Sequence, residues 1–432
     1  MKVNCDMWNR KNFRIGLSGV AAFLLLPGLS FCQQALTWQQ VRDKFEAANP
    51  TLKAAQLNIE ESRAAEITAD LRPNPDFSLT ADGNQLTPSE GTYRPFSGTA
   101  FVPSMSYLHE RDHKRELRLQ SAKKGTAITS SQFADQERNL LFTLRSAFVQ
   151  LLEQKEILAL AKENLVYYDR VLSISSDRFR VGSMAQIDLD RLQLQRVQYE
   201  SDVQTAEVSL RTAKIQLLML LNDRTPVAQI DVTGPFDFPD QIPPLEEFRR
   251  IALESRPDLK AAIQAVDKAR TDHNLAVANG STDPTFAGWW THNASNANPF
   301  AHDTIGASVS VPLRIFDRNQ GEKARTQIDI GLNERLRDAA EALVFSDVDS
   351  AYATLESNLI LLRPYKEKYL AQAVRVRDIA TFSYQRGASS LLDFLSAQND
   401  YRSVQRNYLS LIGAYLTAAG QLNQAVNTEA IP

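Results

Sequence analysis

Asn49–Pro50–Thr51–Leu52–Lys53–Ala54–Ala55 returns later in the chain as Arg256–Pro257–Asp258–Leu259–Lys260–Ala261–Ala262. Downstream of the first copy come Phe179–Arg180–Val181–Gly182, Asp188 and Gln193. Downstream of the second come Tyr384–Gln385–Arg386–Gly387, Asp393 and Gln398. The offset between matched landmarks stays near ~205 residues, far longer than a solenoid repeat, and marks tandem duplication of a large supersecondary unit. Two structural repeats are expected, 33–222 and 245–426. Between them lies a linker, 223–244, that holds Pro226, Gly234, Pro235, Pro239, Pro243 and Pro244, and a short tail, 427–432, closes the chain.

Each repeat reads as helix, strand, strand, long helix, tight turn, helix. In the first, an amphipathic helical stretch spans Trp38 to Leu71 and is stopped by Pro73 and Pro75. No proline falls between about Glu116 and Arg180, where Leu144, Leu151, Leu158, Leu165 and Leu172 recur every seven residues ahead of Phe179. A seven-residue apolar period held this long predicts a left-handed coiled-coil helix about 95 Å in length. Gly182 breaks it. The returning helix, from about Ala185 to Leu221, carries Leu192, Tyr199, Ala206, Ala213 and Leu220 as its stripe. Val348, Leu355, Leu362, Tyr369 and Val376 form the corresponding row of the second repeat, with Gly387 at its turn. Each returning helix is roughly half as long as the outgoing one, so it and the repeat's opening helix are expected to stack end to end beside the long one.

Strands are expected near 75–83 and 96–108, and near 284–292 and 303–313. Ile305, Ala307, Val309, Val311 and Leu313 alternate with Thr304, Gly306, Ser308 and Ser310; Phe77, Leu79 and Ala81 alternate with Asp76, Ser78, Thr80 and Asp82. Phe96–Val102 and Thr285–Thr291, the latter with Trp289 and Trp290, alternate less regularly. Such segments, apolar on one face and small and polar on the other, fit a lipid-facing barrel with a wet lumen. The stretches Gly83–Pro95 and Asn293–Asp303 are rich in Asn, Pro, Ser and Gly, as external loops should be. Four strands cannot close a barrel, since the smallest membrane barrels need about eight. An open edge in hydrocarbon would strand backbone groups without partners. The barrel must then be shared among chains: three copies would supply twelve strands, although pairing alone does not choose three over two or four. The fold class is mainly α with a β-barrel part.

The first residues read as an export signal. Lys2, Arg10, Lys11 and Arg14 precede an apolar run from Ile15 to Leu26, too short to span a bilayer. Cleavage after Cys32 would define a signal peptide of residues 1–32; alternatively Cys32 is a lipidated first residue, although Phe31 sits where lipoprotein signals want a small side chain. Cys5 leaves with the signal, so no disulfide framework or thiol chemistry is expected. Removing the segment takes the formal charge from −3 to about −6, which speaks against nucleic-acid binding. Catalytic signatures are lacking: there is no phosphate-cradling glycine loop, no HExxH and no Cys/His cluster. His109 and His113 have a helical metal-binding spacing but no strong third ligand nearby, and His292 and His302 bracket an expected loop. All four read as solvated rim residues, with no cofactor and no metal site.

The whole mature pattern resembles the outer membrane factor family, the TolC-like trimeric exit ducts of Gram-negative efflux and type I secretion systems. Both Pro-x-Leu-Lys helix starts, both glycine turns, and Ser310–Val311–Pro312–Leu313 ahead of the second long helix carry the resemblance. It implies a homotrimer in the outer membrane, a twelve-stranded barrel, and a long coiled-coil α-barrel in the periplasm. It also implies a tapered end that meets a periplasmic membrane-fusion (adaptor) protein and, through it, an inner-membrane efflux pump. Glu110–Arg111–Asp112–His113–Lys114–Arg115 and Arg118 are similar to the Glu-x-x-x-Lys-Arg-x-x-Arg stretch of the heavy-metal (CzcC-like) branch, which implies metal cations as cargo. Relatives close the periplasmic end with a Tyr, an Arg and two Asp on the second hairpin. Mapped from the glycine turn, these fall on Tyr384, Ser389, Asp393 and Ser396, so half the tie is missing and Arg386 is the nearest replacement. Asp393 then either forms a cation-attracting ring or simply caps its helix. Val181–Gly182–Ser183 and Arg386–Gly387–Ala388 are the adaptor-docking turns on this reading, unless the glycines only supply φ > 0. The rival to a duct is a secreted or surface coiled-coil scaffold or adhesin without a pore, which would have no use for apolar-out strand pairs in both halves.

Overall fold

A computed structural model of the chain describes residues 35–88, 90–96, 98–239, 241–293 and 300–431. The expected signal segment, with Cys5 and Cys32, lies outside the described residues, as does most of the loop before Asp303. The first repeat contains α1 (Trp38–Ala48), α2 (Pro50–Asp70), β1 (Asp76–Asp82), β2 (Ala100–Leu108), α3 (Lys114–Arg180) and α4 (Gln186–Leu220). In the second repeat the same order gives α5 (Leu245–Ser255), α6 (Pro257–Ala278), β3 (Thr285–His292), β4 (Asp303–Ser310), α7 (Gln320–Pro364), α8 (Leu370–Gln385) and α9 (Leu391–Val426).

The opening stretch of each repeat, expected as one helix, is two. Asn49 has an extended backbone and its Oδ1 accepts the Leu52 amide at 3.0 Å, so α2 starts afresh with Pro50 in its first turn. A proline there has no amide to give to the preceding helix and a fixed φ suited to a helix start. Asn49 also joins two helix ends, because its Nδ2 donates to the Leu220 carbonyl that terminates α4, at 3.0 Å. In this way α2 and α4 both pack on α3, and α6 and α9 both pack on α7.

The second long helix is interrupted. Pro364 cannot donate to the carbonyl four residues back, and a π-helical turn, Tyr365–Tyr369, separates α7 from α8. Val348, Leu355 and Leu362 are fully buried as expected, whereas Tyr369 and Val376 are 43% and 52% exposed. The wider turn holds one extra residue, so the inward row resumes one position late, at Leu370, Arg377 and Tyr384.

The four strands form one antiparallel sheet in the order β1-β2-β3-β4. The strand expected from residue 96 begins at Ala100, and the one expected to reach Leu313 ends at Ser310, two residues before Pro312. Pro103 lies inside β2, where the ladder to β3 omits it together with Val102. Cross-strand partners share a face. Phe77 and Leu79, Phe101 and Met105, Phe286 and Trp290, and Ile305 and Val309 therefore all lie on one side, each at least 45% exposed. Within the sheet β1 and β4 are edge strands, each paired on one side only.

The proline-rich linker is strapped down rather than loose: Ile230, Val232 and Phe238 are buried, and Val232 bridges to Leu36. Asn423 holds the tail, its Oδ1 accepting the Ala430 and Ile431 amides at 3.0 and 2.9 Å. One hydrophobic core lies around Phe45, Leu144, Leu151 and Leu217, and another around Val348, Leu355, Tyr415 and Leu422. A third, smaller core joins both repeats near the turns, around Tyr168, Leu192, Tyr384 and Phe394.

Candidate functional site

The two glycine turns are built alike. The Gly182 amide donates to the Phe179 carbonyl and the Ser183 amide to that of Arg178, both at 2.9 Å. Gly387 donates to Tyr384 at 3.0 Å and Ala388 to Ser383 at 2.9 Å. These bond pairs are Schellman motifs, which satisfy the last helical carbonyls by placing one residue in the left-handed region. Gly182 has φ +75° and Gly387 φ +73°, and no heavy atom lies within 4 Å of a Cβ added at either. Backbone conformation alone therefore asks for glycine. Val181 is 77% exposed, and Ser183, Arg386 and Ala388 are exposed beside the glycines.

Behind the turns an arginine–aromatic seam fastens the first hairpin to the second. The Tyr384 ring is buried and stacks on Phe394 with centroids 5.0 Å apart. Arg178 lies 5.6 Å from the Tyr384 ring centre and donates to its carbonyl at 3.0 Å. Burial pushes the Tyr384 phenol up, and the Arg178 charge offsets part of that rise. Arg377 sits over Tyr401 at 4.1 Å and Tyr167 at 5.0 Å, and Arg402 covers Tyr199 at 4.3 Å while pairing with Asp202. The Tyr167 hydroxyl meets Thr381 Oγ1 at 3.0 Å. Each cation–π contact contributes about 0.5–2 kcal/mol, more as water is excluded.

Asp393 occupies the third position of α9 in a capping box. Its Oδ2 accepts from the Ser390 amide at 3.2 Å and from the Ser390 hydroxyl at 2.7 Å, and Ser390 Oγ accepts the Asp393 amide at 3.2 Å. Arg386 lies over Phe382 at 5.1 Å. Tyr384, Arg386 and Asp393 thus each have a different partner within the chain. The seam arginines were not legible in the sequence, because nothing in a heptad pattern says which tyrosine of another hairpin an arginine will cover.

The charged motif at the start of α3 is a clamp between strand and helix. Arg118 grips Glu110 through two bonds, at 2.7 and 3.2 Å, and donates to the Ala69 and Leu71 carbonyls at the end of α2. Lys114, its side chain 4% exposed, reaches Asp283 at 2.6 Å and the Ser281 carbonyl at 3.1 Å. The Arg111 amide caps the same carboxylate at 2.9 Å. His113 lies 3.9 Å from Glu116 and His292 2.8 Å from Asp303, while His109 and His302 are exposed. Among the described residues no three His, Cys, Asp or Glu side chains converge to hold a metal ion, and no helix is long and apolar enough to cross a membrane.

Sheet, long helices and paired turns together define an outer membrane efflux protein: residues 41–223 and 249–428 match that family's model, and the chain belongs to it. It is accordingly a channel of the Gram-negative outer membrane with its helical part in the periplasm, and the pore-free scaffold is set aside. The cobalt-zinc-cadmium resistance protein CzcC of Cupriavidus metallidurans is 23% identical to it, over 91% of this chain and 88% of that one. The outer membrane protein TolC of Salmonella enteritidis is also 23% identical, over 87% and 78% respectively. Among solved structures, CusC superposes with a TM-score of 0.76 at 17% identity, covering 90% of this chain and 91% of that one.

Proposed function

We propose that this chain is the passive exit duct of a tripartite efflux system and no enzyme: a homotrimer whose three sheets join edge to edge into a twelve-stranded barrel. The observation that carries the reading is the sheet itself, open at β1 and β4 with one exposed face that is apolar up to the His292–Asp303 pair at its end. In hydrocarbon both edges need partners, and only sister chains offer the matching edge. The adaptor protein docks on the exposed turns Val181–Gly182–Ser183 and Arg386–Gly387–Ala388, and passes cargo from the inner-membrane pump. Tyr384, Arg386 and Asp393 narrow the periplasmic end. Heavy-metal cations are the cargo, a reading supported by similarity to CzcC across most of both chains. Residues 1–32 direct export, and Cys32 is either lost with them or lipidated.

Cross-linking and sizing of the detergent-extracted chain should give three copies; a well-behaved monomer in detergent-free buffer would end the proposal. A deletion strain challenged with zinc, cobalt and cadmium beside drugs and dyes decides the cargo. Wild-type tolerance to every metal would remove the cation assignment and leave the duct standing.

A further inference from the structure

The side of the sheet opposite the apolar face carries Asp76, Ser78, Thr80, Ser104, Ser106, Thr285, Thr291, Thr304, Ser308 and Ser310 by strand parity. Val102, Leu108 and a single aromatic break that pattern. Trp289 pairs across the ladders with Ser104 on one side and Gly306 on the other, and Ser104 continues the row to Ser78, their hydroxyls 2.6 Å apart. It is the one aromatic on this face of the four strands, among the described residues. Its neighbour Trp290 points the other way, among Phe286, Ile305 and Val309.

Gly306 explains how an indole fits here. A Cβ built on Gly306 would collide with the Trp289 ring, so the indole lies flat across the glycine of the next strand. The ring is thereby held against the wall, one π-face on backbone and the other turned away from it. Its Nε1–H donates to no group among the described residues, although a buried indole N–H ordinarily finds an acceptor.

We infer that Trp289 is an aromatic contact site on the inner wall of the barrel, one that takes planar, weakly hydrated organic cations and ignores strongly hydrated divalent metals. The inference rests on the duct reading for which face is wet. An indole is the strongest aromatic partner for a cation, and the attraction grows as the cation sheds water. A zinc or cobalt ion keeps its hydration shell unless oxygen, nitrogen or sulfur ligands replace it, and the row Ser78–Ser104–Trp289–Gly306 offers no such set. The wall would therefore retain an aromatic cation in passing while letting hydrated metals through.

Tryptophan fluorescence of the full chain in lipid nanodiscs tests this, with 1-methylnicotinamide as the aqueous aromatic cation and brominated phosphatidylcholine as the lipid-side quencher. Trp289→Phe should remove the saturable 1-methylnicotinamide component. The lipid quenching should remain. Trp290→Phe should do the reverse, and zinc at equal concentration should change neither signal. Gly306→Ala, which keeps the tryptophan but lifts it from the wall, should also weaken the cation component; outer-membrane yield serves as its folding control. Unchanged 1-methylnicotinamide quenching in Trp289→Phe, or loss of lipid quenching in that variant, overturns the site while leaving the duct intact. If Trp290→Phe retains full lipid quenching, the lipid-facing sheet itself is wrong, and both readings fall.

Discussion

Arg256 offers the sharpest test of how the helices are joined. Its side chain is 1% exposed, and its guanidinium contacts Asp258 at 2.5 and 3.0 Å and Asp347 at 2.8 Å. Burial raises the Asp258 carboxyl, but the Arg256 bonds, with Arg138 3.9 Å away, outweigh that and hold it below the ordinary carboxylate range. Arg256→Met keeps the volume and removes the cation. Leaving a buried ion without its partner costs about 3–5 kcal/mol. Here the abandoned carboxylates are 23% and 41% exposed, and water screens part of the penalty, so a loss of about 1–3 kcal/mol is expected. The sign with pH follows. A carboxyl whose folded pKa is depressed contributes stability that is fully present above its unfolded value, about 3.9, and vanishes as pH falls through the folded one. The gap between wild type and variant should therefore be full at pH 7 and close in acid, as pH falls past the ordinary carboxylate range and through the depressed folded value. Guanidinium unfolding of the detergent-solubilised protein, followed by helical circular dichroism, measures it. Equal midpoints at pH 7, or a gap that persists undiminished in acid, would refute the assignment.

Lys114→Met should destabilise by about 2–4 kcal/mol, because it leaves the Asp283 carboxylate with the Arg111 amide as its hydrogen-bond donor among the described residues; the thermal midpoint of the extracted protein reads this out. Gly182→Ala and Gly387→Ala meet no neighbour, so each should cost only the left-handed strain, about 1 kcal/mol, in chemical denaturation. Pro364→Ala combined with deletion of one residue from 365–369 should restore an unbroken α-helix with Leu370, Arg377 and Tyr384 still facing inward. That variant should fold with wild-type yield, whereas inserting one residue there should not.

Landmarks that depend on one backbone event were legible: the turns at Gly182 and Gly387, the uninterrupted run to Arg180, and the alternation at Thr304–Ser310. Events that need two distant segments were not. Lys114 and Asp283 are far apart in the chain, and no local pattern links them. The break at Asn49 and the π-turn after Pro364 fall between these extremes. An Asn–Pro pair is itself a helix start, and a proline is the usual cause of a phase slip, yet a period counted through them conceals both. The aromatic contact was equally hidden: Trp289 and Trp290 must face opposite ways in a strand, but only the register shows which of them joins the polar side.

The duplicated joints show what a repeat must keep and what it can exchange. In the first repeat Asn49 does two things, capping α2 and reaching back to the end of α4. Arg256 stands at the equivalent place and makes no side-chain cap on α6. The junction between short helices is nonetheless closed, from the other direction. Asn427, just beyond α9, donates to the Ser255 carbonyl at 3.1 Å, and the Ser255 hydroxyl donates to the Val426 carbonyl at 2.6 Å. Helix ends stacked in a low-dielectric interior must have their carbonyls met, wherever the donor originates. Freed from that duty, the side chain at 256 holds Asp258 in the first turn of α6 and ties that helix to α7 through Asp347. The geometry of the repeat therefore constrains hydrogen-bond satisfaction at each joint and leaves the identity of the donor to drift.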